Sequence, residues 1–269
     1  MEFKKKQFDG PYEVASLDIY VEDELFKGLL YYPPISFQKP YPVIIYFHGF
    51  PQLFPLQEIV RSYHYLLDIG YAFITFNFRG YRYSEGEVSI KSQVADAYKI
   101  IDFINSMAKN DIFNLTNVNI IGHDFGAYIA LILCSQINCI TKLLLITPII
   151  DVKKHIHDDN FSQVLNYINR FLPGNVKGIS NINEFINLIK MELSQKKYQI
   201  RYFINHLTIK KLKIVIGNVD KITPISAVEE VMHNSNIDYE LALIENMDHD
   251  IIYEEDLLKI KKEIRKFFE

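Results

Sequence analysis

Apolar residues recur along this chain in two rhythms. Residues 12–32 alternate apolar and polar positions around the turn VEDE, the pattern of an antiparallel hairpin with one solvated face. From residue 43 the strands change character. Residues 43–47 (VIIYF) and 71–78 (YAFITFNF) are continuous apolar runs, as expected for strands covered on both faces. Short runs of the same kind lie at 118–121, 143–146 (LLLI), 213–216 (KIVI) and 239–244. Between them, residues 57–68, 92–108, 125–136, 224–233 and 254–268 carry helical spacing, the first of these stopping before Gly70. Strands alternating with helices predict parallel pairing through right-handed crossovers. The expected fold is α/β, a mostly parallel doubly wound sheet with an N-terminal antiparallel hairpin.

Residues 152–210 break the alternation. They contain no convincing strand but several helical patterns, such as FSQVLNYINRFL and INEFINLIKMEL, punctuated by Pro173, Gly174 and Gly178. An insertion of this size between two sheet strands would lie over the strand ends. Residues 1–151 and 211–269 are therefore expected to form a core domain and 152–210 a helical cap; the alternative is a pair of crossover helices.

Composition narrows the partners. The 269 residues are 49% apolar and 23% charged, with a net charge of −4, which recommends neither nucleic acid nor an anionic membrane. The start MEFKKKQFDG has positive charge but no apolar stretch, and the longest apolar runs are too short to span a bilayer. With two cysteines, Cys134 and Cys139, a disulfide framework is not expected, and a reduced cytoplasmic protein is.

The chemistry concentrates at Gly122-His123-Asp124-Phe125-Gly126, directly after a strand and before a helix. A tight strand-to-helix turn forces its apex into a sparsely allowed backbone region, and glycines two residues either side let the chain pass close by. The apex side chain then stands at the C-terminal edge of the sheet, where open α/β folds bind ligands, and at a helix N-terminus that favours a carboxylate. The bland alternative makes Asp124 an ordinary helix N-cap. Three features favour the functional reading. The loop His48-Gly49-Phe50-Pro51 after the first buried strand can aim the Phe50 N–H, with that of Phe125, at one spot, as in an oxyanion hole. Asp220 follows a late strand in KIVIGNVD, and His249 follows the next in ENMDHDI.

In order along the chain, HGFP at 48–51, RGYRYSEG at 79–86, GHDFG, GNVD at 217–220 and MDH at 247–249 resemble the α/β-hydrolase fold superfamily, from about residue 20 onward. The resemblance implies a triad of Asp124, His249 and Asp220, with Phe50 and Phe125 as backbone donors. It implies no cofactor, no metal and a small-molecule substrate. Aspartate at this corner is found there in epoxide hydrolases and dehalogenases. A carboxylate is already ionised and suits attack on a saturated carbon, giving an alkyl–enzyme ester that a His-activated water then hydrolyses. Dehalogenases of this kind commonly hold the halide with a tryptophan; this chain has none, and Phe125 and Phe50 stand where Trp and Asn would. An aromatic residue in H-G-x-P resembles epoxide hydrolases, which protonate the ring oxygen with cap tyrosines. Tyr167 and Tyr202 are the candidates here, with Tyr198 beside them. RGYRYSEGE instead resembles the carboxylesterase, acyl-hydrolase and serine-aminopeptidase side, whose members need serine at position 124. An esterase-like scaffold with an altered nucleophile, or a ligand-binding homologue without activity, therefore stays open.

Other features carry less. HIHDD at 155–159 invites a metal, but no further ligand cluster is evident, and a solvated loop at the cap entrance is expected. Asp151 rivals Asp220 as the acid; position in the chain order favours Asp220. Arg79 is expected to brace its loop through its five donors, and Ser84 to be loop structure.

Overall fold

A computed structural model describes residues 7–269. The charged start at residues 1–6, where no secretory leader is expected, lies outside the described residues. The hairpin is β2 (Tyr12–Val21) against β3 (Glu24–Tyr31), with a short strand β1 (Gln7–Asp9) on its outer edge. Then follow β4 (Tyr41–Phe47), α1 (Leu56–Leu67), β5 (Ala72–Phe76), α2 (Ile90–Ala108), β6 (Phe113–His123), α3 (Phe125–Cys134) and β7 (Ile140–Ile146). After the insertion come β8 (Lys211–Gly217), α8 (Ile225–His233), β9 (Tyr239–Ile244) and α9 (Glu254–Phe268).

The strands form one nine-stranded sheet in the order β1-β2-β3-β5-β4-β6-β7-β8-β9. Pairing is antiparallel out to β3–β5 and parallel from there onward. The continuous apolar runs are explained by what covers them. Val43, Ile45, Ile120, Leu143 and Leu145 pack toward α2, α3 and α8. Their neighbours Ile44, Tyr46, Ile121 and Leu144 point the other way, into α1 and α9. Period-two side-chain alternation thus feeds two buried layers, not one.

Between β7 and β8 lie α4 (Val152–His155), α5 (Asp159–Phe171), α6 (Ile182–Leu193) and α7 (Ile200–Phe203), with two short 3-10 turns. Phe161, Leu165 and Ile168 of α5 and Phe185 and Ile189 of α6 join the larger apolar core. Two contacts tie these helices down. Tyr81 and Val176 form an isolated antiparallel bridge. The buried Glu192 carboxylate accepts the backbone N–H groups of Ile90 (2.8 Å) and Lys91 (3.3 Å) at the start of α2. No helix among the described residues is long and apolar enough to cross a membrane.

Candidate active site

The C-terminal ends of β4, β6, β8 and β9 share one edge of the sheet, and each is followed by one of the residues singled out above. The corner after β6 is as sharp as the glycine pattern requires: Asp124 has φ 52° and ψ −119°. A Cβ on Gly126 would run into the carbonyl oxygens of Phe47 and His48, so only glycine lets α3 pack against β4 there. The Asp124 N–H donates to Ile146 O (3.0 Å), and its carbonyl accepts from Ala127 (3.1 Å) and Ile149 (3.2 Å), which locks the bend from three sides. Its side chain makes no cap hydrogen bond to α3, so the N-cap alternative does not describe it.

The carboxylate is spoken for elsewhere. Phe50 N–H donates to Oδ2 at 2.5 Å. A Cβ on Gly49 would lie 2.5 Å from that same oxygen, so this glycine makes room for the approach. The loop carrying Phe50 is braced by His48. Burial pushes the His48 imidazole down to about 4, leaving it neutral. Its Nδ1–H donates to Gly49 O (2.8 Å) while Nε2 accepts from Phe78 N–H (3.1 Å). The Phe125 N–H, at the first position of α3, has no hydrogen-bond partner among the described residues.

The other oxygen, Oδ1, lies 3.3 Å from His249 Nε2. His249 Nδ1 lies 2.9 Å from Asp220 Oδ2. Asp220 is itself oriented, because its Oδ1 accepts from Ile222 N–H (2.9 Å) and Thr223 N–H (2.7 Å). Its rival Asp151 instead caps α4 by accepting from Lys154 N–H (2.9 Å). Asp124 and His249 are each 7% exposed and Asp220 is 4%. Burial disfavours a charged imidazole, but hydrogen bonds to Asp124 and Asp220 and their negative charges override it, raising His249 to about 10. Burial likewise opposes an ionised Asp124, and the His249 hydrogen bond and charge, with His123 and the Phe50 N–H, hold it below the usual carboxylate range. Asp124 and His249 therefore favour each other's charged forms, carboxylate beside imidazolium.

Beside the corner lies a narrow apolar pocket. Phe50 and Phe125 form its wall next to Asp124, and Ile149, Phe161, Phe185 and Ile189 continue it. The candidate proton donors are not there. Tyr167 is 58% exposed and packs on Phe171, with ring centroids 4.9 Å apart. Tyr202 is 41% exposed beneath the cations of Lys196 and Arg201. Tyr198 is buried, but it too is absent from the cavity wall. The expectation of cap phenols facing Asp124 is therefore corrected: these rings sit on the wrong faces of their helices.

The HIHDD stretch divides. Asp158 caps α5, and His157 Nδ1 bonds Lys153 O (2.6 Å), as suits a solvated turn. His155 does not fit that expectation: its ring lines the cavity and packs on Phe161 at 4.8 Å. No group of three or more metal-ligating side chains occurs among the described residues. Arg79 braces its loop by bonding Asp96 (2.6 Å) and Glu24 (2.8 Å), and buried Ser84 donates to Asn77 O (2.7 Å).

Comparison with known proteins adds the lineage. A family profile described as alpha/beta hydrolase fold matches residues 42–183, more than half the chain. The chain belongs to this family. Lysophosphatidylserine lipase ABHD12 of Danio rerio is 29% identical over 143 residues, covering 52% of this chain and 35% of that protein. The Rattus norvegicus lipase of the same name is 27% identical over 191 residues, covering 64% and 47%. The chain thus spans between about a third and a half of these relatives' length. Among solved structures, Est1E from Butyrivibrio proteoclasticus with ferulic acid bound superposes with a TM-score of 0.70 at 18% identity, covering 93% of this chain and 97% of that one. The alpha/beta hydrolase GrgF from Penicillium sp. sh18 gives 0.69 at 15%, covering 95% and 97%. At such identities the likeness is one of fold.

Proposed function

We propose that this chain is a hydrolase of small apolar electrophiles, epoxides first among them, that works through a covalent ester on Asp124. One observation carries the reading: the Asp124 carboxylate stands at a strained corner with Oδ2 on the Phe50 N–H and Oδ1 3.3 Å from His249 Nε2. Oδ1 attacks a ring carbon, the ring C–O bond breaks, and its electron pair stays on the oxygen. The resulting alkoxide takes the proton of the His249 imidazolium. The ester has now removed the Asp124 charge that raised His249, so the neutral ring can act as a base.

Water then gives a proton to His249 as its oxygen adds to the Asp124 carbonyl carbon. The oxyanion forms on Oδ2, already on a preorganised donor. Collapse expels the second product oxygen, which leaves with the His249 proton as the diol departs. The new Asp124 carboxylic acid returns a proton to His249, and the resting ion triad is restored. The inserted helices act as a cap that keeps bulk water from the carboxylate.

The test is a single turnover of styrene oxide in heavy-oxygen water. The covalent route leaves label in the Asp124 carboxylate and little in the first diol. Label in the diol alone rejects it. His249→Gln should accumulate the ester as added mass on the peptide holding residue 124.

The lipase and esterase names of the relatives favour a second reading, carboxylic-ester hydrolysis on a scaffold with an altered nucleophile. Carboxylate attack on an ester gives an anhydride, and an imidazolium cannot deprotonate water, so this reading needs another base. Hydrolysis of aryl esters by the wild type, lost in Asp124→Asn, would favour it.

A further inference from the structure

The net charge of −4 is unevenly shared. Residues 152–210 hold nine Lys and Arg against four Asp and Glu, a net +5, which leaves −9 on the rest of the chain. One of those four acids, Glu192, is buried against the start of α2, so the outer surface of the insertion is more basic still. The same surface carries apolar side chains. Helix α5 buries Phe161, Leu165 and Ile168, while a second stripe, Val164, Tyr167 and Phe171, spaced three and four, faces outward. The Tyr167 and Phe171 rings pack 4.9 Å apart, and the Arg170 guanidinium lies 5.1 Å from the Phe171 ring centre. Arg82 extends the patch. Its backbone N–H donates to Asn175 O (2.8 Å) just beyond α5, its Nη1 donates to Leu53 O (2.5 Å), and its guanidinium lies 5.6 Å from the Tyr83 ring centre. Tyr167, Phe171, Tyr83 and Phe54 are each more than half exposed. Phe54 stands four residues past Phe50, and Val164 three past Phe161; both Phe50 and Phe161 line the pocket. The patch therefore borders the elements that wall the pocket.

We propose that this face of the insertion docks on an anionic phospholipid surface. Aromatic rings beside Arg and Lys suit the boundary between headgroups and acyl chains: the ring enters the apolar layer while the cation stays at the phosphates. Arg82 and Arg170 stand over rings that would enter, and Lys196 and Arg201 stand over Tyr202 in the same way. An apolar patch without cations would fit another protein's apolar face. This one pairs rings with positive charge, and the excess positive charge of the insertion matches a negative surface. The pocket wall exposes no polar atom, so its guests are molecules that also dissolve in a lipid layer. Docking holds the pocket elements next to that supply. The proposal stands apart from the Asp124 chemistry, since binding needs no turnover.

The experiment is sedimentation of the full chain with sucrose-loaded vesicles of phosphatidylcholine, alone or with phosphatidylglycerol at about a third of the lipid. The mixed vesicles should bind the wild type at least about 10-fold more tightly than the neutral ones, as a few cations near an anionic surface supply. Added salt should remove that margin, because exposed charges are screened. Tyr167→Ser with Phe171→Ser takes two rings from the outer face of α5 without touching its buried stripe, and should weaken binding to the mixed vesicles about 10-fold or more. Leu115→Ser, near the start of β6 at the opposite end of the sheet, removes an exposed apolar side chain and should leave binding unchanged. A wild-type chain that stays in the supernatant with the mixed vesicles overturns the proposal. So does equal binding to neutral and mixed vesicles, equal binding of the wild type and the double variant, or an equal loss in Leu115→Ser. Sedimentation velocity without lipid reads the other occupant: a wild-type dimer that the double variant dissociates, with no vesicle binding, assigns the patch to a second copy of the chain instead.

Discussion

Replacing Asp124 by asparagine removes one negative charge and keeps the shape, which is what alkylation of the carboxylate also does. The variant is therefore a stable mimic of the proposed intermediate's electrostatics. His249 is raised from its usual 6.5 to about 10 by two carboxylates, at 3.3 Å and 2.9 Å, against an opposing burial effect. A rise of that size corresponds to about 5 kcal/mol in favour of the imidazolium. A unit charge about 4 Å away in a protein interior of effective dielectric near 20 is worth about 4 kcal/mol, so either carboxylate alone could supply most of it. Shared between the two, the loss of Asp124 should lower the His249 midpoint by about 2 pH units, to roughly 8.

The measurement is a pH titration of the ring resonances by NMR from pH 5 to 11. The His249 signal is assigned among the eight histidines by its absence in His249→Gln. The wild type should titrate near 10 and Asp124→Asn about 2 pH units lower. Equal midpoints would mean that Asp124 does not sustain the imidazolium. A wild-type midpoint near 6.5 would mean that no ion triad exists, and His249 could not be the proton source for ring opening.

Three further outcomes follow from the same contacts. A group raised in the folded state stabilises it below the unfolded value and loses that contribution as pH climbs through the folded one. The urea midpoint should therefore fall between pH 7 and 10.5 by an amount equivalent to a few kcal/mol, and His249→Gln should flatten that limb. Gly126→Ala drives a methyl group into the carbonyls of Phe47 and His48, and equilibrium unfolding should register a loss of about 3 kcal/mol or more. Glu192→Ala strands the buried N–H of Ile90 and removes the acceptor of Lys91 N–H, costing about 1–3 kcal/mol, and hydrogen exchange should speed up in α6 before the sheet.

The parallel half of the sheet was legible because its strands are apolar on both faces, and runs such as VIIYF and LLLI have no other comfortable place. The corner was legible because its glycines answer a mechanical demand that Gly126 meets in full. What failed was anything decided by helix phase or distant packing. On α5 the buried stripe is Phe161, Leu165 and Ile168, spaced four and three, and Tyr167 falls about 100° off it. That phase was readable, and it already pointed Tyr167 outward. His155 was not readable in the same way. Val152 and Ile156 share its face and line the same pocket, but a helix of four residues is too short for that spacing to stand out in the sequence. The strand β1 is three residues long and largely exposed, an edge that burial does not write into the sequence.

The atom at the corner decides the order in which the histidine acts. The frame around position 124, set by Gly49, Gly126 and the braced His48, places a side-chain oxygen between a backbone donor and an imidazole. A hydroxyl there would be neutral, would leave the imidazole uncharged, and would need it as a base before any attack. A carboxylate brings its own charge, so it attacks unaided and holds the imidazole protonated until the attack has consumed that charge. On the proposed covalent route, His249 would thus be an acid in the first half of the cycle and a base in the second, with the covalent bond to Asp124 as the switch. Such a switch needs a site where charges are felt strongly, which is what 7% exposure at Asp124 and His249 beside an apolar cavity supplies. Flooding that cavity would weaken the nucleophile through solvation and the switch through screening together. The apolar wall and the aspartate therefore make sense only as a pair.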